Sequence, residues 1–215
     1  MFDLPSTDGG WGAILIDPPW SFKDKASRLA PEGSVSGYGT LPDAAILALP
    51  VKEISARDAH LYLWTTDAHI ELGLRCAKRW GFRYVQLIHW LKVDAQGRPR
   101  LGGGHYFRHV TESLLFCVRG KAPFPRHDLG ALIVAPRQAH SQKPRKIHRL
   151  IEQASPSPRL EVFARAPVEG WTVWGAQAEK GIGAEREPAP DFEPALSVHG
   201  QFSLFAPPES DLTRD

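Results

Sequence analysis

Near the amino terminus, a short apolar run ends abruptly at an acidic residue and two prolines. The run spans residues 12–16, and Asp17, Pro18 and Pro19 follow it directly. Because no position in the run is polar, it predicts a strand that is buried on both faces, as in parallel sheets. Proline has no N–H to donate to a strand ladder, so the strand must stop at Asp17. The sequence therefore predicts a carboxylate at the carboxyl end of a buried strand.

Segments typical of strands and helices alternate along the rest of the chain. Apolar runs predict further strands at residues 60–64, 83–90, 113–119, 132–135, 159–163 and 171–174. Helices are predicted at residues 42–49, at residues 67–80 and from Pro144 onwards, where positions 147, 150, 151 and 154 form one apolar stripe. Residues 21–40 and 93–107 lack a period and predict loops. This alternation favours an α/β domain with a mainly parallel sheet, in which ligands bind at the carboxyl ends of strands.

The distribution of charge divides the chain after residue 177. Residues 178–215 contain three basic and eight acidic residues, a net charge of −5, and prolines replace the periodic pattern there. The other 23 basic and 16 acidic residues give residues 1–177 a net charge of +7. We therefore predict a folded domain at 1–177 and a mostly disordered, acidic and proline-rich tail at 178–215. A basic domain suits a polyanionic partner such as nucleic acid.

Several other classes of protein are disfavoured by the sequence. No apolar run approaches the roughly 20 residues that cross a bilayer, and the first residues lack the basic and apolar regions of an export signal. Cys76 and Cys117 do not form a Cys-x-x-Cys pair, which predicts reduced, buried thiols. The nine histidines show no metal-ligand spacing, so no metal site is predicted. These features predict a cytoplasmic protein that does not bind a membrane.

The segment Asp17-Pro18-Pro19-Trp20 combines the groups that methylation of an adenine amine requires. The Asp17 carboxylate can accept one N–H of the amine, and the carbonyls of Pro18 and Pro19 are rigid acceptors for the other. Trp20 is a flat side chain on which an extruded base can stack. The alternative is structural, with the prolines closing a strand and Trp20 in the core.

This segment is the first of many landmarks that follow one another between about residues 14 and 177. The others are Tyr38-Gly39-Thr40, Leu61-Tyr62-Leu63-Trp64, Glu71-Leu72-Gly73, Trp80-Gly81-Phe82, Trp90-Leu91-Lys92, Gly104-His105-Tyr106-Phe107-Arg108 with Glu112, Val118-Arg119-Gly120-Lys121, His140-Ser141-Gln142-Lys143-Pro144, Leu160-Glu161-Val162-Phe163-Ala164-Arg165, and Gly170-Trp171 with Trp174-Gly175. In this series the chain resembles the MT-A70 family of S-adenosylmethionine-dependent adenine-N6 methyltransferases. The resemblance implies a Rossmann-like methyltransferase fold with a circularly permuted motif order, in which the catalytic motif precedes the cofactor-binding strand.

The resemblance also implies roles for individual residues. Catalysis is expected of Asp17, Pro18, Pro19 and Trp20. S-adenosylmethionine is expected to bind Asp17, Lys143, Glu161, Phe163, Arg165 and Gln177. The nucleic-acid substrate is expected to contact Trp20, Tyr38, His105, Tyr106, Arg108, Glu112 and Ser141.

Some of these residues have alternatives that the sequence leaves open. Lys143 precedes a predicted helix, where the helix dipole disfavours a cation, and this predicts an anionic neighbour such as the carboxylate of the cofactor. Arg108 and Glu112 have the alternative of pairing with each other. Further basic residues are candidates for phosphate contacts, although surface arginines are more often simply solvated: Arg98, Arg100, Arg126, Arg137, Arg145 and Lys146.

Two departures from the family pattern keep other functions open. Ala176 stands where asparagine is usual, and Ala166-Pro167 follows Arg165 where a basic residue or histidine is usual. Both remove polar groups near the ribose of the cofactor, which leaves a non-catalytic nucleic-acid-binding subunit as an alternative. A protein glutamine-amide N-methyltransferase is another, although its usual motif order is not permuted.

The nucleic acid and the assembly are predicted from the compact layout. Residues 120–140 are too few for a separate target-recognition domain, and compact family members with a tail are expected to act on DNA. DNA is therefore favoured over RNA. A homodimer and a pair with a methyltransferase-like subunit are both expected as possible assemblies.

Overall fold

The computed structural model describes residues 2–21, 39–104, 106–137 and 142–175. The strands within them are β1 (Trp11–Ile16), β2 (Ser55–Thr65), β3 (Arg83–Val93), β4 (Thr111–Arg119), β5 (Leu132–Pro136), β6 (Arg159–Val162) and β7 (Thr172–Trp174). The helices are α1 (Asp43–Leu47), α2 (Val51–Ile54), α3 (Ile70–Arg79), which follows a 3-10 turn at Asp67–His69, and α4 (Lys146–Ala154). The predicted tail at 178–215 lies outside the described residues.

All seven strands belong to one sheet, in the order β5-β3-β4-β2-β1-β6-β7. Neighbouring strands are parallel except at β4, which runs antiparallel to both β2 and β3. Six strands therefore end at one edge of the sheet, and β4 begins there. We call this the carboxyl edge. The mostly parallel sheet with flanking helices confirms the predicted Rossmann-like α/β fold.

Both faces of the sheet are covered, which explains why β1 has no polar position. Ile14 and Ile16 belong to a core cluster that also contains Leu72 and Cys76 of α3. Leu15 points to the opposite face, into a second cluster with Ile147 and Ile151 of α4. Burial of each such side chain stabilises the fold by about 1.5–3 kcal/mol. The apolar run at the amino terminus is thus the centre of a three-layer structure.

The structure corrects the predicted boundaries of several elements. The helix predicted at 42–49 stops at Leu47, and a second short helix, α2, starts after Pro50, because proline cannot continue a helix but suits its start. β2 begins at Ser55, five residues before the predicted start, and β3 extends three residues past its predicted end, to Val93. These extensions matter for function because the end of β3 carries Lys92.

Two predictions about the chain as a whole can be compared with the structure. Cys76 and Cys117 are buried free cysteines, as predicted. No helix in the described ranges is long and apolar enough to span a bilayer.

Candidate active site

Four charged side chains meet at the carboxyl edge. Asp17 follows β1 directly, Lys92 lies one residue before the end of β3, and Lys143 lies three residues before α4. Glu112 is the second residue of β4. Because β4 is reversed, a residue at the start of this strand lies beside residues at the ends of the others. We call Asp17, Lys92, Glu112 and Lys143 the charged cluster.

The charged cluster is a chain of alternating charges. Lys143 Nζ lies 2.9 Å from Oδ1 and 2.8 Å from Oδ2 of Asp17, and 3.4 Å from Oε2 of Glu112. Glu112 Oε1 lies 2.6 Å from Lys92 Nζ. The four side chains are between 17% and 26% exposed, so water reaches them only in part. Lys143 thus bridges the carboxylates of Asp17 and Glu112, and Lys92 pairs with Glu112 from the other side.

Aromatic rings line the side of the charged cluster towards the sheet. Lys143 Nζ lies 5.2 Å from the ring centre of Trp64, and Lys92 Nζ lies 5.3 Å from that of Trp90. A cation at this distance from a ring is attracted to its π face. Trp64 and Trp90 contact each other edge to face at 6.3 Å. The two tryptophans therefore fix both lysines from one side.

The environment acts differently on the two carboxyl groups. Burial raises the pKa of Asp17 above its ordinary value, although Lys143 acts in the opposite direction. Burial also opposes the ionisation of Glu112, but Lys143 and Lys92 outweigh it and hold the pKa of Glu112 below its ordinary value. For Lys143, burial is outweighed by Asp17 and Glu112, which raise its pKa. Lys143 therefore remains a cation at neutral pH, and Asp17 is the carboxylate whose surroundings favour accepting a hydrogen.

The two prolines after Asp17 fix the backbone of the strand end. The Pro18 carbonyl accepts the N–H of Trp20 at 2.8 Å, and the Pro19 carbonyl accepts the N–H of Leu41 at 2.9 Å. Each carbonyl oxygen has two lone pairs, so each can accept one further hydrogen. Rigid acceptors are thus present at the predicted position.

Trp20 packs against the protein in the described structure. Its side chain is 6% exposed, its Nε1 donates to the carbonyl of Trp64 at 3.1 Å, and its ring stacks on His69 at 5.2 Å with the planes 18° apart. His69 is itself held by Thr66 Oγ1 at 2.7 Å. These contacts match the structural alternative for Trp20, as part of the wall beneath the site. Stacking of a base on Trp20 stays a prediction.

A small cavity joins the residues that were predicted to bind the cofactor. Its volume is about 60 Å³, and its walls include five of the six predicted residues: Asp17, Lys143, Glu161, Phe163 and Arg165. Asp17 follows β1 and Phe163 follows β6, and these strands are parallel neighbours, which is why distant parts of the sequence meet here. Glu161 Oε2 pairs with His148 Nε2 at 2.8 Å. The sixth residue, Gln177, lies outside the described residues, as does Ala176.

The backbone is strained where β6 ends at this cavity. Phe163 has a φ of 64°, in the left-handed region that bulky residues rarely adopt. Its ring is held between Phe2 at 6.4 Å and Trp174 at 5.5 Å. Gly175 lies so close to Ala164 that an added Cβ would be 2.2 Å from the Ala164 oxygen. Strain of this kind persists where surrounding contacts enforce it and is common at ligand sites.

Apart from Trp20, the residues predicted to contact substrate fall into three groups. Glu112 belongs to the charged cluster, whereas Tyr106 is 95% exposed and the next residue, Phe107, is 93% exposed. Arg108 Nε donates to the Gly102 carbonyl, whereas Glu112 pairs with Lys92 and Lys143. The third group lies outside the described residues: Tyr38, His105 and Ser141.

Three residues of the site were assigned no role from the sequence. Lys92 and Trp90 are two positions apart in β3 and therefore point to the same face, and Trp90 is paired in register with Glu112. The third is His148, which holds Glu161. The prediction that Lys143 needs an anionic neighbour is consistent with Asp17 and Glu112, which supply the negative charge. No group of three or more side chains with metal-ligand chemistry occurs in the described part of the chain.

Comparison with known proteins places this geometry in a family. The MT-A70 family profile matches residues 11–177. The chain is 32% identical over 174 residues to a rice protein named probable N(6)-adenosine-methyltransferase MT-A70-like, covering 79% of this chain and 23% of that protein. It is 32% identical over 161 residues to the human N(6)-adenosine-methyltransferase catalytic subunit METTL3, covering 73% of this chain and 26% of METTL3.

A fungal relative is matched over more of its length. The chain is 29% identical over 177 residues to the N6-methyladenosine RNA methyltransferase MTA1 of Pyricularia oryzae, covering 77% of this chain and 46% of MTA1. The chain spans about a quarter of the length of the plant and animal relatives and about half of the fungal one. The matched region includes the strand before Asp17, the charged cluster and the cavity. The chain belongs to the MT-A70 family.

Proposed function

We propose that this chain is a methyltransferase that uses S-adenosylmethionine to methylate the exocyclic N6 amine of adenine in nucleic acid. The observation that carries the proposal is the position of Asp17. It lies at the carboxyl edge, on the wall of the cavity formed by the predicted cofactor residues, and it is held by Lys143. Membership of the MT-A70 family supports the same chemistry.

The polar groups around the cavity fit the chemistry of S-adenosylmethionine. Lys143 and Arg165 are cations suited to the carboxylate of its amino-acid part, and Asp17 and Glu161 are acids suited to its ammonium group and ribose hydroxyls. When bound, the cofactor supplies an electrophilic methyl group on a sulfonium. A cavity of about 60 Å³ is smaller than the roughly 300–1,000 Å³ of typical ligand pockets. Binding of the whole cofactor therefore requires the cavity to widen.

Asp17 and the proline carbonyls then orient the adenine amine. The cofactor would supply the methyl group to the amine nitrogen, and Asp17 would hold the amine so that its lone pair points at that group and would accept the proton that the nitrogen loses. Asp17 still has free lone pairs on both oxygens after pairing with Lys143, so it accepts an N–H of the amine. Alignment and a fixed acceptor at the reacting nitrogen lower the barrier without a covalent enzyme intermediate.

The substrate is the part of the proposal on which the sequence and the relatives differ. The compact layout favoured DNA, whereas the relatives are named as adenosine or RNA methyltransferases. The comparisons therefore give no support to a preference for DNA, and RNA is the first substrate to test. Because human METTL3 is named a catalytic subunit, a paired subunit is a reasonable partner for this chain as well.

The decisive experiment measures the product directly. Purified protein is incubated with S-adenosylmethionine and unmethylated single-stranded RNA or DNA, and N6-methyladenine is quantified by nucleoside mass spectrometry. We expect product in at least one nucleic acid, its loss in Asp17→Ala, and its retention in Asp8→Ala, which removes an exposed acid remote from the site. Product that persists in Asp17→Ala would rule out the assigned chemistry.

Calorimetry with S-adenosylmethionine separates the proposal from its alternatives. A methyltransferase binds the cofactor in wild-type protein and, with reduced affinity, in Asp17→Ala. A non-catalytic subunit binds nucleic acid without binding the cofactor. Methylation of glutamine amides in a protein, with no methyladenine formed, would identify the protein-directed alternative.

A further inference from the structure

A second and larger pocket adjoins the cofactor cavity. Its volume is about 530 Å³, and it lies between α4 and residues 167–170. On the helix it is lined by Arg145, His148, Arg149 and Glu152, which are spaced as neighbours on one side of a helix. This stripe is distinct from the one that packs Ile147 and Ile151 under the sheet. The polar side of α4 therefore forms a wall of a pocket as well as a solvated surface.

The pocket has a surplus of cationic groups. Arg159 joins Arg145 and Arg149 on its walls, against the two acids Glu152 and Glu169. Glu152 is already engaged, because its Oε1 accepts the indole N–H of Trp171 at 2.8 Å. Arg159 is fixed in place by Nη2, which donates to the carbonyls of Glu152 at 3.2 Å and Ser155 at 3.3 Å. A rigid guanidinium in a concave site is suited to an anion.

Two buried nitrogens on the walls of this pocket lack a partner among the described residues. They are Nε of Arg159 and Nδ1 of His148. The His148 side chain is 11% exposed, and its other nitrogen is held by Glu161. Because the Nε2–H of a neutral His148 is donated to Glu161, its Nδ1 is an acceptor, and the orphan that requires an acceptor is the Nε–H of Arg159. The Nε–H of Arg159 can only donate, which requires that the ligand be an acceptor.

We propose that this pocket binds a phosphodiester group of the nucleic acid whose adenine reacts at Asp17, an inference that rests on the proposed function. Arg145, His148, Pro167 and Val168 line both this pocket and the cofactor cavity, so a phosphate held here lies next to the reacting centre. Phosphate contacts fix the register of a nucleic acid on a protein without reading its sequence. The pocket therefore positions the strand, while the charged cluster acts on the base.

The cationic surplus argues against the pocket as an extension of the cofactor site. The adenosine part of S-adenosylmethionine carries no negative charge, and its only carboxylate is matched by Lys143 and Arg165 in the smaller cavity. Arg149 and Arg159 line the second pocket and do not line the cofactor cavity. Their substitution should therefore change the affinity for nucleic acid and leave the affinity for the cofactor unchanged.

The test measures binding of a fluorescein-labelled single-stranded RNA of random sequence by fluorescence anisotropy. We expect Arg149→Glu to weaken binding about tenfold or more at low salt, and the slope of log affinity against log salt to become shallower by about 0.7, the value for one lost phosphate contact. The matched control is Arg57→Glu, which reverses an exposed arginine near the start of β2, at the opposite edge of the sheet. Arg159→Gln is the second variant, because it removes the orphaned donor without adding a negative charge.

Several outcomes would overturn the proposal. They are wild-type protein that binds no RNA, unchanged affinity in both pocket variants, or an equal loss in Arg57→Glu, which would reflect overall charge alone. Loss of S-adenosylmethionine affinity in Arg149→Glu, measured by calorimetry, would assign the pocket to the cofactor instead. Saturable binding of inorganic phosphate that is tighter than binding of the RNA would assign it to a free phosphate.

Methyladenine measured in the same samples separates this inference from the proposed function. If wild-type protein forms methyladenine while the pocket variants keep full RNA affinity, the function stands and the pocket assignment fails. If RNA binding depends on Arg149 and Arg159 while no methyladenine is formed, the pocket stands and the proposed function fails.

Discussion

One polar cluster lies at the middle of strand β2 and another lies beyond its carboxyl end, and the two clusters are built on opposite principles. At the middle of β2, His60 Nδ1 and Tyr62 OH each lie 2.8 Å from Ser155 Oγ, and His60 also bonds to the backbone of Ala122. We call His60, Tyr62 and Ser155 the neutral cluster. Beyond its end lies the charged cluster, in which each carboxyl group pairs with a lysine and all four side chains are partly open to water.

The neutral cluster is closed, whereas the charged cluster is open. Burial lowers the pKa of His60 to about 4 and raises that of Tyr62, so both stay uncharged at neutral pH. With Tyr62 donating to Ser155 and Ser155 to His60, this network is complete within the protein. Asp17, by contrast, keeps lone pairs that are open to water and to a ligand. A closed network stabilises the fold, and an open one is available for chemistry.

The largest expected effect is the loss of methyl transfer in Asp17→Asn. This change keeps the size of the side chain but removes its negative charge from the reacting centre. We expect the rate to fall by about 10²–10³-fold, comparable to loss of a fixed polar group at a reacting atom. The free energy of unfolding should change by less than about 1 kcal/mol, because Lys143 retains Glu112 and burial already disfavours the Asp17 charge. The measurements are single-turnover kinetics and urea unfolding, and a stable, fully active variant would contradict the division between the clusters.

The converse is expected in the neutral cluster for Ser155→Ala. Removal of Oγ leaves His60 Nδ1 and Tyr62 OH buried without their shared partner, and each unsatisfied group costs about 1–3 kcal/mol. We expect the free energy of unfolding to fall by about 3 kcal/mol, while the rate per folded molecule is unchanged. The control is Ser6→Ala, at an exposed serine, which should lie within about 0.5 kcal/mol of wild type in urea unfolding. A Ser155→Ala protein that is as stable as wild type but inactive would contradict this, because it would assign a catalytic role to the neutral cluster.

The neutral cluster should also make stability depend on pH. The pKa of His60 is about 4 in the folded chain, against an ordinary value of 6.5 that applies in the unfolded chain. The unfolded chain therefore binds the proton more readily. Stability from this group is therefore present above about pH 6.5 and is lost as pH falls towards 4, by about 2 kcal/mol between about pH 7 and pH 5. Urea unfolding of wild type and His60→Gln at both pH values tests this. A loss that is equally large in His60→Gln would show that other groups cause it.

The sequence predicted the sheet better than it predicted the site. The apolar run before Asp17 was located because burial on both faces leaves no polar position, whereas the strand before Phe163 alternates charged and apolar residues. The reversal of β4 has no such signature, since an antiparallel strand between two others in the centre of a sheet is as apolar as a parallel one. The contact of Glu112 with Lys143 depends on that reversal, so it could not be derived from spacing.

The same limit applies to single residues of the site. Trp20 was predicted as a stacking platform because its position beside Asp17 is local, but its contact with His69 is made across the fold. Five cofactor residues were located through the family resemblance rather than through periodicity, and the cavity brings them together. Lys92 was noted only within a family landmark and was assigned no role, because a lysine near a strand end usually faces solvent. Its role is therefore open to a direct test.

Lys92→Met should give the smallest effect on methyl transfer, because Glu112 still pairs with Lys143 when Lys92 is removed. The ion pair is 17% and 26% exposed, so water compensates for part of the lost charge. With Lys92 gone, Glu112 competes more strongly with Asp17 for Lys143, and we expect methyl transfer to fall by about fivefold, equivalent to about 1 kcal/mol. The measurement is single-turnover kinetics beside Lys78→Met, which removes an exposed lysine of α3 and should have no effect.

A loss as large as that in Asp17→Asn would place Lys92 among the groups that touch the reactants. Full activity would show that Lys143 alone holds Glu112, and that the charged cluster contains three functional residues rather than four.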